Sequence, residues 1–267
     1  MLFFANRINN MLSKSQLQFV KSLHQKKFRT EHQKFIAEGP VVVEEALRSD
    51  FRVEAVYANK EGQERLQKLD ISSHTEIVEI SNAELQRMSL LKQAHEMLAL
   101  IEMKKETFPP EKIDSLVLAL DQISDPGNMG TIIRIADWFG ITNIICSEDS
   151  VDVYNPKVVQ ATMGSMFRLK VVYTSLSSFI SKINKEAADL KVYGTILSGK
   201  NIYREKLGQK GIIIMGNETR GISEDLQKLI NEPLTIPAFH SDNSQSAESL
   251  NVAVATAIVC SEFRRRN

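Results

Sequence analysis

Residues 115–120 read SLVLAL and residues 211–216 read GIIIMG. Short, unbroken apolar runs of this kind are strands buried on both faces, and such strands belong to parallel sheets covered by helices. The pattern continues through the second part of the chain. SLVLAL is followed by a helical pattern over 131–139, strand NIICS, a helix near 155–165, strand LKVVY and a helix over 176–190. Then come strands VYGTIL and GIIIMG, a helix over 223–230, strand PLTIP and a final helix to Arg266. Strands alternating with helices predict a parallel, doubly covered α/β sheet. Sheets of that kind bind ligands beyond the carboxyl ends of their strands. The loops after SLVLAL, GIIIMG and PLTIP are therefore the places to look for chemistry.

The segment ETFPPEKID at 106–114 sets two prolines among charges between apolar runs, as a linker does. It divides the chain into parts 1–108 and 112–267. The first part also alternates: a helix over Ser15–Lys27, strand KFIAEG, a helix from Pro40, strand VEAVYAN, helix 60–70, strand TEIVEI, a helix opened by Ser81-Asn82, and strand MLALIEM. This is a small α/β layer structure. Within it Lys14, Lys21, Lys26, Lys27, Arg29 and Lys34 face only Glu31 in sequence. Such a run fits a phosphate-contacting surface, and it equally fits a solvated helix face.

Over the whole chain Lys+Arg and Asp+Glu are both 33, so net charge favours no class of partner. The two cysteines, Cys146 and Cys260, lack any metal or redox spacing and read as reduced thiols of a cytoplasmic protein. The opening MLFFANRINN is too short for a signal peptide, and no apolar run reaches membrane-spanning length. No metal site and no membrane association are expected.

In the first loop, DPGNMGTIIRIADWFG, Pro126 and Gly127 suit a tight turn and Asn128 suits a cap or a ligand contact. With the helix starting near Thr131, Arg134 would lie close to its positive end, where a cation is unfavourable. That placement marks Arg134 as functional. In the second loop, GIIIMGNETRGIS, Gly216 permits close backbone approach and Glu218 puts a carboxylate at the strand's end. The loop matches neither the dinucleotide-binding nor the P-loop glycine pattern. In the third, Ser249 and Asn251 stand at the entry to a helix apolar around most of its circumference. Ser249 alone would suffice as a cap, and an Asn inside the helix costs propensity. His240 is a weak candidate base, with neither nucleophile nor metal partners beside it.

Taken in order, DPGNMGTIIRIADWFG, IIIMGNETRG and IPAF…ESLNVAVATAI resemble the motifs of the SpoU (TrmH-type) family of RNA ribose 2′-O-methyltransferases, within the SPOUT superfamily. YNPKVVQATMGSMFRL at 154–169 resembles that family's segment between the first two motifs. KKFRTEHQKFIAEGPVVVEEAL resembles, more distantly, its L30e-like RNA-binding domain. The resemblance implies an α/β/α carboxyl-terminal domain with a deep trefoil knot, preceded by the small L30e-like α/β domain. It implies S-adenosylmethionine as methyl donor, lined by Gly216, Ile236 and Leu250. Asn128, Arg134, Glu218, Ser249 and Asn251 match the family's functional polar positions. A homodimer with a composite site is implied, acting on RNA, ribosomal rather than transfer RNA. A transfer-RNA methyltransferase and a knotted RNA-binding protein without catalysis are the alternatives. The chain departs from the family pattern in a longer loop between Pro237 and Ser249, in Thr162-Met163-Gly164-Ser165, and in AHEMLAL where a Pro-Gln-Gly turn is common.

Overall fold

The computed structural model describes residues 12–109, 113–187, 189–239 and 249–265. His240, most of the loop between Pro237 and Ser249, part of the 106–114 linker and Arg266 lie outside them. The chain forms two compact units, one of residues 1–105 with 152–167 and one of residues 106–151 with 168–267.

In the first unit Ser13 and Gln16 form a capping box that starts α1 (Lys14–Ser22). The sequence predicts one helix from Ser15 to Lys27, but the chain breaks at Leu23–Gln25 and resumes as α2 (Lys26–His32). Arg29 on α2 accounts for the break. Its Nη1 donates to the carbonyls of Leu23 and His24, each at 3.0 Å, satisfying acceptors that the end of α1 leaves open. Then follow β1 (Lys34–Glu38), α3 (Pro40–Arg48, Pro40 in its first turn), β2 (Val53–Ala58), α4 (Lys60–Leu66), β3 (Glu76–Glu79), α5 (Asn82–Met88) and β4 (Met97–Glu102). The sheet runs β1-β4-β2-β3, antiparallel except for the β2–β3 pair. Leu17, Val20 and Leu23 pack with Ile36, Tyr57, Leu98 and Leu100 in its core.

Residues 152–167 complete this unit. Phe35, Phe51, Tyr154 and Phe167 form one aromatic cluster, with ring pairs at centroid separations of 4.7 to 6.5 Å. The helix of this segment is α7 (Pro156–Thr162).

The second unit contains β5 (Leu116–Leu120), α6 (Pro126–Trp138), β6 (Asn143–Cys146), β7 (Lys170–Tyr173), α8 (Leu176–Glu186), β8 (Val192–Asn201), β9 (Gly211–Met215), α9 (Glu224–Gln227), β10 (Glu232–Thr235) and α10 (Val252–Arg265). The six strands are all parallel, in the order β10-β8-β9-β5-β6-β7. Val117, Ala119, Ile212 and Ile214 pack against Leu176, Ile180, Ile183 and Leu226 of α8 and α9. Residues of opposite parity face the other way. Tyr193 there meets Phe263 of α10 edge-on at 4.8 Å. Helices thus cover both faces, as the unbroken apolar strands require. α10 packs along α6, and Arg264 closes the far end by donating to the carbonyls of Phe139 at 2.8 Å and Gly140 at 3.1 Å.

One element differs from expectation in a way that matters. α6 begins at Pro126, not near Thr131. The Asp125 side chain accepts from the Asn128 N–H at 2.7 Å and Pro126 occupies the first turn, so the expected tight turn is the first turn of the helix. Arg134 is consequently the ninth of thirteen helical residues. Its distance from the helix start removes the dipole argument for its function, because that field fades within the first turn.

Candidate active site

The first, second and third motifs meet at one point. Asn251 is the residue before α10, and its Oδ1 accepts from the N–H groups of Ala253 at 3.0 Å and Val254 at 3.3 Å. Asn251, not Ser249, is therefore the cap, and it lies outside the helix, where an asparagine is favoured. With Oδ1 committed to the helix, its Nδ2 donates to Asn128 Oδ1 at 2.9 Å. That leaves Asn128 Nδ2 to donate to Glu218 Oε1 at 2.5 Å. The direction of every bond in this chain is set by the helix N–H groups at one end and the carboxylate at the other. Bonds aligned this way polarise one another. The second oxygen of half-buried Glu218 bonds to no described residue.

The loop bearing Glu218 is built by Asn217. Its Oδ1 accepts from the N–H groups of Thr219 and Arg220, at 2.9 and 3.1 Å, and its backbone pairs both ways with Gly221. Its Nδ2 donates to the Gln122 carbonyl at 2.8 Å, joining this loop to the one after β5. A Cβ on Gly216 would lie 2.3 Å from the Gly221 backbone, so glycine there is required by the loop's own return. Asp121, 3 % exposed, accepts from the Ser223 N–H at 2.8 Å. The sequence reading singled out neither Asn217 nor Asp121. A signal for Asp121 was present: a carboxylate directly after five buried apolar residues needs a partner.

Arg134 and Ser249 do not join this cluster. Arg134 is exposed and forms no hydrogen bond or ion pair among the described residues, and Glu218 is held by Asn128. One turn further along the same face, Trp138 is 85 % exposed. Ser249 is exposed before the cap. Ile236, just after β10, is half-buried, and Leu250 remains 48 % exposed. Both cysteines are buried, and burial pushes both thiols up, Cys260 to about 12, so neither is a ready nucleophile. Among the described residues no group of three or more His, Cys, Asp or Glu side chains is placed to hold a metal.

Residues 115–261 match the model of the SpoU rRNA Methylase family. The chain belongs to this family. Residues 14–99 match the MRM3-like substrate binding domain. Among relatives, the 23S rRNA (guanosine(2553)-2'-O)-methyltransferase RlmP of Bacillus subtilis is 32% identical over 247 residues, covering 91% of this chain and 94% of its own. A TrmH-family protein of Porphyromonas gingivalis superposes with a TM-score of 0.86 at 36% identity, over 97% of this chain and 100% of that one. An AdoMet-bound rRNA methyltransferase of Sinorhizobium meliloti gives 0.83 at 27% identity, over 97% of each chain. The family membership agrees with the parallel sheet and with the preceding small α/β unit.

Proposed function

We propose that this protein transfers the methyl group of S-adenosylmethionine to a ribose 2′-hydroxyl of ribosomal RNA. The observation that carries this reading is the hydrogen-bonded chain Asn251–Asn128–Glu218, which draws one residue from each motif to the carboxyl ends of parallel strands. Relatives spanning nearly the whole chain support ribosomal RNA as the substrate.

The residues present fit the donor. Ile236 and Leu250 leave apolar surface exposed beside the carboxyl ends of β9 and β10, suited to a purine and a thioether chain, and Gly216 offers backbone at the same edge. The donor supplies an already activated methyl group. The chain must hold the 2′-oxygen in line with it and manage the oxygen's proton and charge. Asn128 and Asn251 hold the Glu218 carboxylate in one orientation, and its free oxygen accepts a hydrogen bond from the ribose. Arg134 carries a guanidinium engaged with no described carboxylate and stabilises negative charge developing on the 2′-oxygen. Ser249 helps orient donor and ribose.

Arg134 shares the exposed face of α6 with Trp138, and Val254 of α10 is half exposed. We infer a homodimer in which a second copy covers this face, making the site composite. A mass measurement in solution by light scattering checks it. The carboxyl-terminal part would be knotted, as the family resemblance implies, and the division near residues 108–112 is supported by the two separate model matches. The first unit would bind RNA through exposed Lys14, Lys21, Lys26 and Lys27. No helix among the described residues is long and apolar enough to cross a membrane. We place the protein in the cytoplasm, with its ribosomal substrate.

Mapping 2′-O-methylation in total RNA with and without the protein tests the function. One ribosomal ribose should lose its methyl group, and an unchanged map would overturn the reading.

A further inference from the structure

Gln122 is held in a backbone conformation that its side chain makes unfavourable. Its φ is +57°, in the left-handed region that glycine tolerates and other residues seldom adopt. Its surroundings enforce this conformation from several sides. The Gln122 N–H donates to Ser147 Oγ at 2.8 Å, and its carbonyl accepts from Asn217. Ser147 Oγ is 2.9 Å from Ser150 Oγ, and Ser150 in turn accepts from the Ile123 N–H at 3.2 Å. Both serines are buried. On the other side Asp121 is fixed through its N–H to the Met215 carbonyl and through its carboxylate to Ser223. A strained residue persists where its neighbours over-determine it, and such residues concentrate at functional sites.

The side chain has no local reason to be there. It is half-buried, and its amide makes no hydrogen bond to any described residue. A glycine would serve the turn at lower cost. What the glutamine adds is one donor and one acceptor, side by side, at the carboxyl end of β5. Its backbone is joined through Asn217 to the loop that carries Glu218.

Sheet order gives the place of Gln122 relative to the residues assigned to the donor. Gly216 and Ile236, assigned to the donor, follow β9 and β10. Gln122 follows β5 and is anchored to Ser147 after β6, on the side of β9 away from β10. We propose that Gln122 contacts the nucleotide whose ribose is methylated, pairing its amide with the base edge. A primary amide suits an unstacked base, which presents a donor and an acceptor together. The inference rests on the methyltransferase reading above.

The test compares the full-length wild type with Gln122→Gly and Gln122→Glu, using ribosomal RNA from cells lacking the protein. Gln122→Gly keeps the backbone conformation and removes the amide. Gln122→Glu keeps side-chain length and removes the donor. Both should lose about three- to tenfold in kcat/KM for RNA, the worth of one or two neutral hydrogen bonds. S-adenosylmethionine affinity by calorimetry should be unchanged, and the glycine variant should melt no lower than wild type. Wild-type kcat/KM in Gln122→Gly would overturn the proposal, as would a parallel loss of donor affinity. If the wild type transfers no methyl group, the functional reading fails by itself. Affinity for the same RNA in the presence of S-adenosylhomocysteine then decides Gln122: a loss in Gln122→Gly supports the contact, and no change removes it.

Discussion

Arg29 and Arg134 bring the same side chain into opposite surroundings. Arg29 belongs to a run of cations that reads as a phosphate-contacting surface or a solvated helix face, yet it is 2 % exposed. Its guanidinium donates to two carbonyls at the end of α1 and forks onto Asp152, with Nη2 at 2.6 Å and Nε at 3.2 Å from one carboxylate oxygen. Lys34 of the same run pairs with Glu54. Arg134 sits in an apolar helical pattern, yet it is exposed and free of any described carboxylate. A buried cation must be partnered, and Arg29 spends four of its five donors on the fold. A cation left unpaired in solvent adds nothing to folding and keeps its donors for a ligand. The first is held by the fold and the second is engaged with no described residue.

The sharpest way to break this contrast is to remove each arginine. Arg134→Ala should lower kcat for methyl transfer by at least about 10²-fold, as loss of a group stabilising transition-state charge does. Its melting temperature and donor binding should match wild type. Turnover near the wild-type rate would return Arg134 to the surface. Arg29→Ala should instead cost about 2–4 kcal/mol in denaturant unfolding, because half-buried Asp152 loses its partner and two carbonyls lose their donor. An undiminished unfolding midpoint would show that the pair is dispensable.

A smaller effect sharpens the comparison within the site. Asn251→Asp keeps a good helix cap, so unfolding should change little, but it deletes the Nδ2 donor to Asn128. Activity should fall about tenfold, a hydrogen-bond network's share. Asn251→Ala should lose the same activity and about 1 kcal/mol of stability as well. Equal activity in the aspartate variant and wild type would mean that the asparagine chain does not position Glu218.

The glycines and prolines of the first motif were legible in the sequence as backbone punctuation but not in their mode. Pro126-Gly127-Asn128 fits a reverse turn and a first helical turn equally, and Asp125 decides between them by capping. The polar network around the site was not legible in the same way. Asn217, Gln122 and Ser147 act on one another across 25 to 95 residues of chain, and their spacing shows no periodicity. The same holds for Asp152, whose partner lies 123 residues earlier. The helical run from Ser15 to Lys27 gave no sign of breaking, because the residue that stabilises the break lies beyond it.

The sequence by itself determined the strands and their layering. Five consecutive apolar residues at Leu116–Leu120 and at Gly211–Met215 can be accommodated only where both faces are covered, a requirement each segment carries locally. It also determined which polar residues stand at the carboxyl ends of those strands. Tertiary structure alone decided which of them meet. Asn128, Glu218 and Asn251 become one hydrogen-bonded chain only when β9 lies beside β5 and α10 beside α6. The fate of each arginine was decided the same way, because burial and partnership depend on what the rest of the chain brings alongside.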